Sequence, residues 1–430
     1  MPREQAADRT HHYAALEALA ASLQAASAAR PPGGPPMAER VDALLAEIGD
    51  PWASVVVKVG GTNGKGSVVA MLRACCQRAD LAVATFTGPH LSRLTERITL
   101  DGAEVAPEPL RRALLEAQAA GEAVVARLGP GARPSFFELL LGAAVILARA
   151  WGAEALLVEA GIGGRGDATS RLSAQAAALV SVGEDHLDKL GPTLAQVAAE
   201  KAGLARPGEA LIVGPGVPPE LLTVVHAAAE PGVRVTQARA LVAEGTPTAT
   251  VALPGLGPAR LSLAGAHQAE NAAVVAGIWA ELHRQGLVPF DALLGVTEAR
   301  WPGRLELLPG APAWLLDGAH NPPGVAALAR ALPTYGAESE RVLLVGVSGG
   351  HEAALLALAA LPGELHLVGG FYRAAPLATQ MALLPPGRVT AGWPDVPTAL
   401  AALSTRRDKA LVVVAGSLFL VGAAREILSP

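Results

Sequence analysis

Val55-Val56-Val57-Lys58-Val59-Gly60-Gly61-Thr62-Asn63-Gly64-Lys65-Gly66-Ser67 decides the fold: an apolar run enters a glycine-rich turn with a lysine, and a helix-like segment follows. Glycines let the backbone turn tightly with its N–H groups pointing inward, and the following helix presents its positive end. Lys65 adds a mobile cation for the β- and γ-phosphates of a nucleotide. Gly61, Thr62, Asn63, Gly64, Lys65, Gly66 and Ser67 are therefore candidate phosphate-binding residues. Two details depart from the general P-loop pattern: Val59 stands where a glycine is usual, and Gly66 where Ser or Thr directly follows the lysine.

A chain of 430 residues is too long for one ordinary core, so two or three domains are expected. Hydrophobic residues make up 51% and charged ones 17%, a composition that reads as soluble and globular. The longest uncharged apolar stretch, Leu139 to Ala148, is too short to cross a bilayer and reads as a buried helix. Charged residues and two histidines at the N-terminus do not fit a secretory signal, so a cytoplasmic protein is expected. The cysteines, Cys75 and Cys76, are adjacent and can neither staple distant segments nor offer metal-ligand spacing. A net charge of -5 without a basic run argues against nucleic-acid binding.

Helices are expected at 11–30 and 38–49, with no strand pattern before residue 53. Strand candidates at 53–59, 82–86, 155–160, 177–183 and 210–214 then alternate with Ala/Leu-rich helices, the pattern of a mostly parallel sheet covered on both faces. Residues 232–263 suggest a small β-rich appendage, and 267–284 a helix returning to the first domain. The expected fold class is thus α/β: a P-loop-type sheet domain with its N-terminal helices over 1–297, a linker at 298–306 around Pro302-Gly303, and a second, Rossmann-like α/β domain over 307–430. Its strands are expected at 313–317, 341–347, 364–369 and 411–415.

In an open α/β sheet ligands gather at the carboxyl ends of strands. Glu159, ending the strand at 155–158, is placed to hold Mg²⁺ against a γ-phosphate. In the loop after it, Arg165 and Asp167 offer opposite charges for a substrate. Asp185 and His186 stand at another strand end, and His186 is a candidate ligand for a second magnesium. Lys201, closing the helix Ala198-Ala199-Glu200-Lys201, reads by default as a solvated surface cation. In the second domain Asp317-Gly318-Ala319-His320-Asn321-Pro322 is a polar strand-to-helix turn. Asp317 suits a ribose hydroxyl or an amine, His320 an incoming amine, and Asn321 with Pro322 a helix cap.

Taken in order, these segments resemble the folylpolyglutamate synthase/dihydrofolate synthase family of the Mur-ligase superfamily. Besides the phosphate loop, the landmarks are Pro89-His90-Leu91 with Glu96-Arg97-Ile98, Phe137-Glu138, Glu159 to Thr169, Asp185-His186, Glu200 to Gly203, Gly265-Ala266-His267-Gln268 with Asn271, Trp301 to Glu306, Asp317 to Pro322 and Gly416-Ser417-Leu418. The resemblance implies a cytoplasmic, monomeric ligase that uses ATP and Mg²⁺ to join L-glutamate to a folate or dihydropteroate carboxylate through an acyl phosphate. It places the triphosphate on 61–67, ATP contacts on Asn271, Arg304 and Asp317, and magnesium on Glu159, His186 and Ser67. Catalytic roles fall on Lys65, Lys201 and His320, with Lys201 on the lysine that family members carbamylate. Pteroate or folate contacts fall on Ser135, Phe136, Phe137, Gly166, Asp167 and Ala168. The chain departs from the family at Gly88, where a metal-ligating serine is common and Thr87 or a water has to substitute. Gly166 and Ser170 likewise replace a usual leucine and asparagine. The competing expectations are another Mur-type amino-acid ligase, which carries a further α/β domain before its phosphate loop, and a nucleotide-binding switch protein, which has no need of the 317–322 turn.

Overall fold

The computed structural model describes residues 2–49, 53–406 and 411–429. Its largest sheet contains β1 (Val55–Gly60), β2 (Val83–Phe86), β3 (Ile98–Leu100), β4 (Ala103–Glu104), β5 (Ala155–Glu159), β6 (Ala176–Ser181), β7 (Ala210–Gly216) and β8 (Arg234–Gln237). They are ordered β4-β3-β2-β5-β1-β6-β7-β8, parallel except for the β3 and β4 edge. β1 lies centrally between β5 and β6 and is buried along its whole length. Such a strand reads as a continuous apolar run because helices cover both of its faces.

Alternate residues of β1 feed two cores. Val55, Val57 and Val59 pack with Val68, Val69 and Leu72 of the helix Lys65–Arg78 and with Val274 and Trp279 of the helix His267–Arg284. On the opposite face Val56 joins Leu140 and Leu141 of the helix Phe136–Trp151 and Leu16 and Leu44 of the N-terminal helices. Those run Pro2–Ala28 and Met37–Ile48, so the first begins well before the expected residue 11. Each such aliphatic side chain taken from water contributes about 1.5–3 kcal/mol, which makes this two-sided burial the main force holding the phosphate turn in place.

A three-stranded antiparallel sheet follows, β9 (Ala243–Glu244), β10 (Thr248–Leu253) and β11 (Gly257–Ala264). Its inward residues Val251, Leu253 and Leu261 join the first core. The appendage is smaller than expected from 232–263, because Arg234–Gln237 pairs in parallel with β7 and extends the large sheet. That segment is polar and largely exposed, as an edge strand allows, so its composition carried no sign of which sheet it joins.

The third sheet holds β12 (Glu306–Leu308), β13 (Ala313–Asp317), β14 (Arg341–Val345), β15 (Glu364–Val368), β16 (Val389–Trp393) and β17 (Leu411–Ala415). Its order is β12-β13-β17-β14-β15-β16, parallel apart from β12. The short edge strands β12 and β16 escape a search for apolar runs, since one side of each is exposed. β12 begins at Glu306, inside the stretch expected to be linker. Among the described residues no helix is long and apolar enough to cross a membrane.

Candidate active site

β1 leads directly into the glycine turn. Gly64 caps the helix Lys65–Arg78 with φ +87, a left-handed conformation that glycine adopts without strain. A β-carbon on Gly64 would also strike the Asn271 Oδ1 atom. Gly66 is covered by the indole of Trp301: a β-carbon there would sit 2.7 Å from three ring atoms. This contact explains one departure from the general pattern, because the side chain of Ser or Thr has no room after Lys65. The hydroxyl comes instead from buried Ser67, which accepts a hydrogen bond from Gln268 Nε2 at 3.4 Å.

Gln268, 0% exposed, is the centre of a small network. Its Nε2 also donates to His267 Nε2 (3.2 Å), while its Oε1 accepts from Asn271 Nδ2 (2.9 Å). Lys65 turns back on its own loop, with Nζ 3.1 Å from both Gly61 O and Thr62 O. One cleft is lined from both large lobes, by Asn63, Ser67 and Asn271 on one side and Arg304 and Asp317 on the other.

On the second lobe the Asp317 carboxylate accepts the N–H groups of Leu305 and Ala319, both at 2.9 Å. Leu305 has φ +47, a conformation that costs a non-glycine residue about 1–2 kcal/mol and persists here because the Asp317 bond and burial of the leucine hold it. The turn sends Leu305 into the core while Arg304 stays on the cleft wall. His320 Nδ1 is 2.7 Å from Gly318 O, so Nδ1 carries the proton and Nε2 is the acceptor. Burial brings its pKa down to about 4, which leaves the ring neutral near pH 7.

Glu159, His186 and Lys201 lie outside the lining of that cleft, yet the Lys65 ammonium acts on all three. Glu159 is 7% exposed; its Oε2 accepts the Gly88 N–H at 3.2 Å. Burial raises its pKa, opposed first by Lys65. His186, at φ +49, lies 3.8 Å from the Asp185 carboxylate. Lys201 is no surface cation: it is 5% exposed and donates to Gly61 O at 3.2 Å. Its pKa falls to about 8, through burial and then repulsion from Lys65.

The loop after β5 differs from its expected use. Arg165 and Asp167 do not face one substrate together. Arg165 reaches away to Ala228 O (2.8 Å) and Glu230 (3.6 Å), whereas buried Asp167 is consumed inside the loop by Ile162 N (2.9 Å), Thr169 N (3.0 Å) and Thr169 Oγ1 (2.7 Å). Gly166 N donates to Glu200 Oε1 at 2.7 Å, and Ala168 is buried. Ser135 caps the helix Phe136–Trp151, its hydroxyl accepting the Glu138 N–H at 3.3 Å. Phe136 is half-buried and packs against the core beside that cap, while the Phe137 ring is 5.4 Å from Phe86 and covers Gly161, just beyond the end of β5.

The donor set suits magnesium, which takes one or two carboxylates and completes its shell with water and phosphate oxygens. Among the described residues Glu159 has no direct ion pair, and a buried carboxylate so placed calls for a cation. Thr87 is buried and directly precedes Gly88, whose N–H the Glu159 carboxylate accepts. No group of three or more His, Cys, Asp or Glu side chains among the described residues is arranged as an all-protein metal cage.

No family model matches the chain. A dihydrofolate synthase/folylpolyglutamate synthase of Bacillus subtilis is 32% identical over 314 residues, covering 68% of this chain and 71% of its own length. The chain belongs to the dihydrofolate synthase/folylpolyglutamate synthase family. It is also 33% identical over 326 residues to a probable bifunctional folylpolyglutamate synthase/dihydropteroate synthase of Halobacterium salinarum, but spans only 39% of that protein's length. Among solved structures, Mycobacterium tuberculosis folylpolyglutamate synthase complexed with ADP superposes with a TM-score of 0.83 at 26% identity, over 97% of this chain and 99% of that one.

Within this synthase family member, sequence reasoning left several site residues without a role. Gln268 lies one helical turn before Asn271, a spacing that places both on one face and signals a shared task. Trp301, Ser181 and Lys58 offered no comparable sign, because each acts across a tertiary contact. Lys58, 0% exposed, points from β1 to Glu209 (2.7 Å) and to Leu172 O (3.1 Å), tying the sheet to the end of the β5 loop.

Proposed function

We infer that this chain is an ATP-dependent ligase that joins L-glutamate to the carboxylate of a pteroate or folate, by way of an acyl phosphate. The observation that carries the reading is one cleft in which Thr62 to Gly64 and Ser67 of the glycine-rich loop face Arg304 and the Asp317–Ala319 turn, with the buried Glu159 carboxylate close enough to feel the Lys65 charge. A carboxylate is a poor acyl donor, and phosphorylation gives it a leaving group. Its oxygen attacks the γ-phosphorus and ADP leaves; the glutamate α-amine then attacks the acyl carbon and phosphate departs. The chain's contribution is positioning and charge neutralisation.

In this reading residues 61–67 hold the triphosphate, and Asn271, Arg304 and Asp317 hold the rest of ATP. Lys65 needs only to swing from its loop carbonyls to meet the phosphates. Ser67, Glu159 and His186, with Thr87, would hold magnesium, which when bound supplies charge neutralisation at the phosphates. Neutral His320 accepts a hydrogen bond from the incoming amine at Nε2, orienting its lone pair. Lys201 is a site for carbamylation: burial favours the neutral amine that CO2 requires, and the product is an anion beside Lys65. Ser135, Phe136, Phe137 and Gly166 to Ala168 frame the pteroate side, with the half-buried Phe137 ring over Gly161 as its apolar surface.

The Bacillus relative's two-part name supports dihydrofolate synthase and folylpolyglutamate synthase activities in one chain. Both walls of the cleft come from one chain, which supports a monomer as the working unit, and ATP as co-substrate supports a cytoplasmic setting. The test is glutamate-dependent ADP release with dihydropteroate and with tetrahydrofolate, following product chain length by mass. Release that needs no pteroate would overturn the reading.

A further inference from the structure

We propose that Asn63 and Asn321 form a latch between the two lobes that holds the amine-binding turn in register with the phosphate loop. The proposal rests on the ligase reading above. Asn63 Nδ2 donates to Asn321 Oδ1 at 3.0 Å, and Asn321 Nδ2 donates back to Asn63 Oδ1 at 3.1 Å, across 258 residues of sequence. Two side-chain amides closed into a ring of two hydrogen bonds are satisfied in only one relative placement of their backbones.

Both ends are anchored. The Asn63 N–H donates to Ser181 Oγ at 2.9 Å, and Ser181 Oγ donates to Asn63 O at 2.9 Å, which fixes that residue to the end of β6. Asn321 is 3% exposed, and its Oδ1 also accepts the Gly324 N–H at 2.9 Å as cap of the helix Pro322–Ala331. Asn63 therefore spends its side chain on the other lobe and its N–H on Ser181, although it stands inside the phosphate loop. Thr62 and Gly183 bond reciprocally nearby, and Pro323 closes over Gly183.

The latch has a chemical consequence because His320 directly precedes Asn321. Amine attack on an acyl phosphate demands an approach of about 3–3.5 Å, and a displacement near 1 Å costs on the order of 10²-fold. Water suffers no such constraint. With the latch open, water adds to the acyl carbon, phosphate leaves, the carboxylate is regenerated, and ADP has been released with no amide formed.

Asn321→Ser separates the latch from the cap, since serine caps a helix about as well as asparagine but carries no amide to reach Asn63. With glutamate and a pteroate substrate saturating, the wild type should release about one ADP per amide bond, as the reaction above requires. Asn321→Ser should form amide roughly 10- to 100-fold more slowly, with the ADP-to-amide ratio raised several-fold. Asn63→Ala should raise the ratio likewise, and the double variant should be no worse than the poorer single one, because one latch cannot be broken twice. A ratio that stays at one while both rates fall together, or losses that multiply in the double variant, would overturn the latch. Absence of glutamate-dependent ADP release in the wild type would remove the ligase reading and the latch together.

Discussion

Replacing Gly66 by serine converts the glycine-lysine loop toward the general P-loop pattern, which taken by itself would expect tolerance. The structure predicts damage. The new β-carbon would lie 2.7 Å from Nε1, Cε2 and Cζ2 of Trp301, about 0.7 Å inside ordinary contact, where repulsion is steep. The obstacle is a rigid ring rather than the free end of a flexible chain, so it yields only by moving as a body. Trp301 packs against the first core and begins Trp301-Pro302-Gly303-Arg304, so a displaced ring carries Arg304 with it. Overpacking of this kind costs about 1–3 kcal/mol, and an Arg304 or Ser67 shifted by about 1 Å lowers turnover on the order of 10²-fold. Urea unfolding and ATP-dependent amide formation measure the two effects separately. Trp301→Leu in the Gly66→Ser background should restore part of both losses, even though Trp301→Leu alone is destabilising. Wild-type stability and turnover in Gly66→Ser, or no relief from the second change, would refute the reasoning.

Lys201, with its pKa brought down to about 8, is increasingly the neutral amine as pH rises toward 8. Activity of enzyme stripped of CO2 should therefore recover several-fold faster at pH 8 than at pH 7 when the two are compared at equal dissolved CO2, and a short carboxylic acid should partly rescue Lys201→Ala; indifference to both excludes a carbamate. The same burial has a sign for stability. Between about pH 8 and the ordinary lysine value of 10.5 the unfolded chain binds the proton and the folded one does not, so unmodified protein gains stability relative to Lys201→Met as pH rises through that window. A β-carbon at Gly88 would meet only Arg97, at 3.6 Å and 3.8 Å, so Gly88→Ser fits and adds a hydroxyl beside Glu159. The Mg²⁺ concentration giving half-maximal ADP release should fall by about 10-fold, a typical gain for an added ligand or its support; an unchanged titration counts against the site. Lys58→Met leaves the buried Glu209 carboxylate without its cation, held by the N–H groups of Ala174 and Arg206, and should cost up to about 3–5 kcal/mol in urea unfolding. A loss below about 1 kcal/mol would show that the two N–H bonds suffice for Glu209, and Glu209→Gln should recover much of the loss in the double variant.

The legible parts of this chain were those governed by neighbours in sequence. β1 announces itself as an apolar run and the phosphate turn by its glycines. The helix at 267–284 agrees with the structure to the residue, because its apolar face repeats with the helical period. Edge strands were legible only in part: β12 and β16 are half-exposed, and β8 gave no sign that it extends the large sheet. Site residues followed the same division. Glu159 and Asp317 could be placed from the strand ends that carry them, whereas Lys201 read from its own helix as a surface cation and drew a role only from the family resemblance; its burial at 5% exposure and its bond to Gly61 O are tertiary facts.

By itself, then, the sequence determined that a glycine-rich turn with a lysine follows an apolar strand of a mostly parallel sheet, that a polar turn opens a second α/β unit, and which family these motifs resemble. Backbone conformation and hydrophobic period are local properties, written in residues a few positions apart. Tertiary structure alone decided that Gly66 must lack a side chain under Trp301, that Asp167 serves its own loop, that Lys201 is buried against Lys65, and that Asn63 pairs with Asn321. Each of these depends on steric exclusion, desolvation or a hydrogen bond between segments tens to hundreds of residues apart, and such contacts acquire an energy only when the fold brings them together.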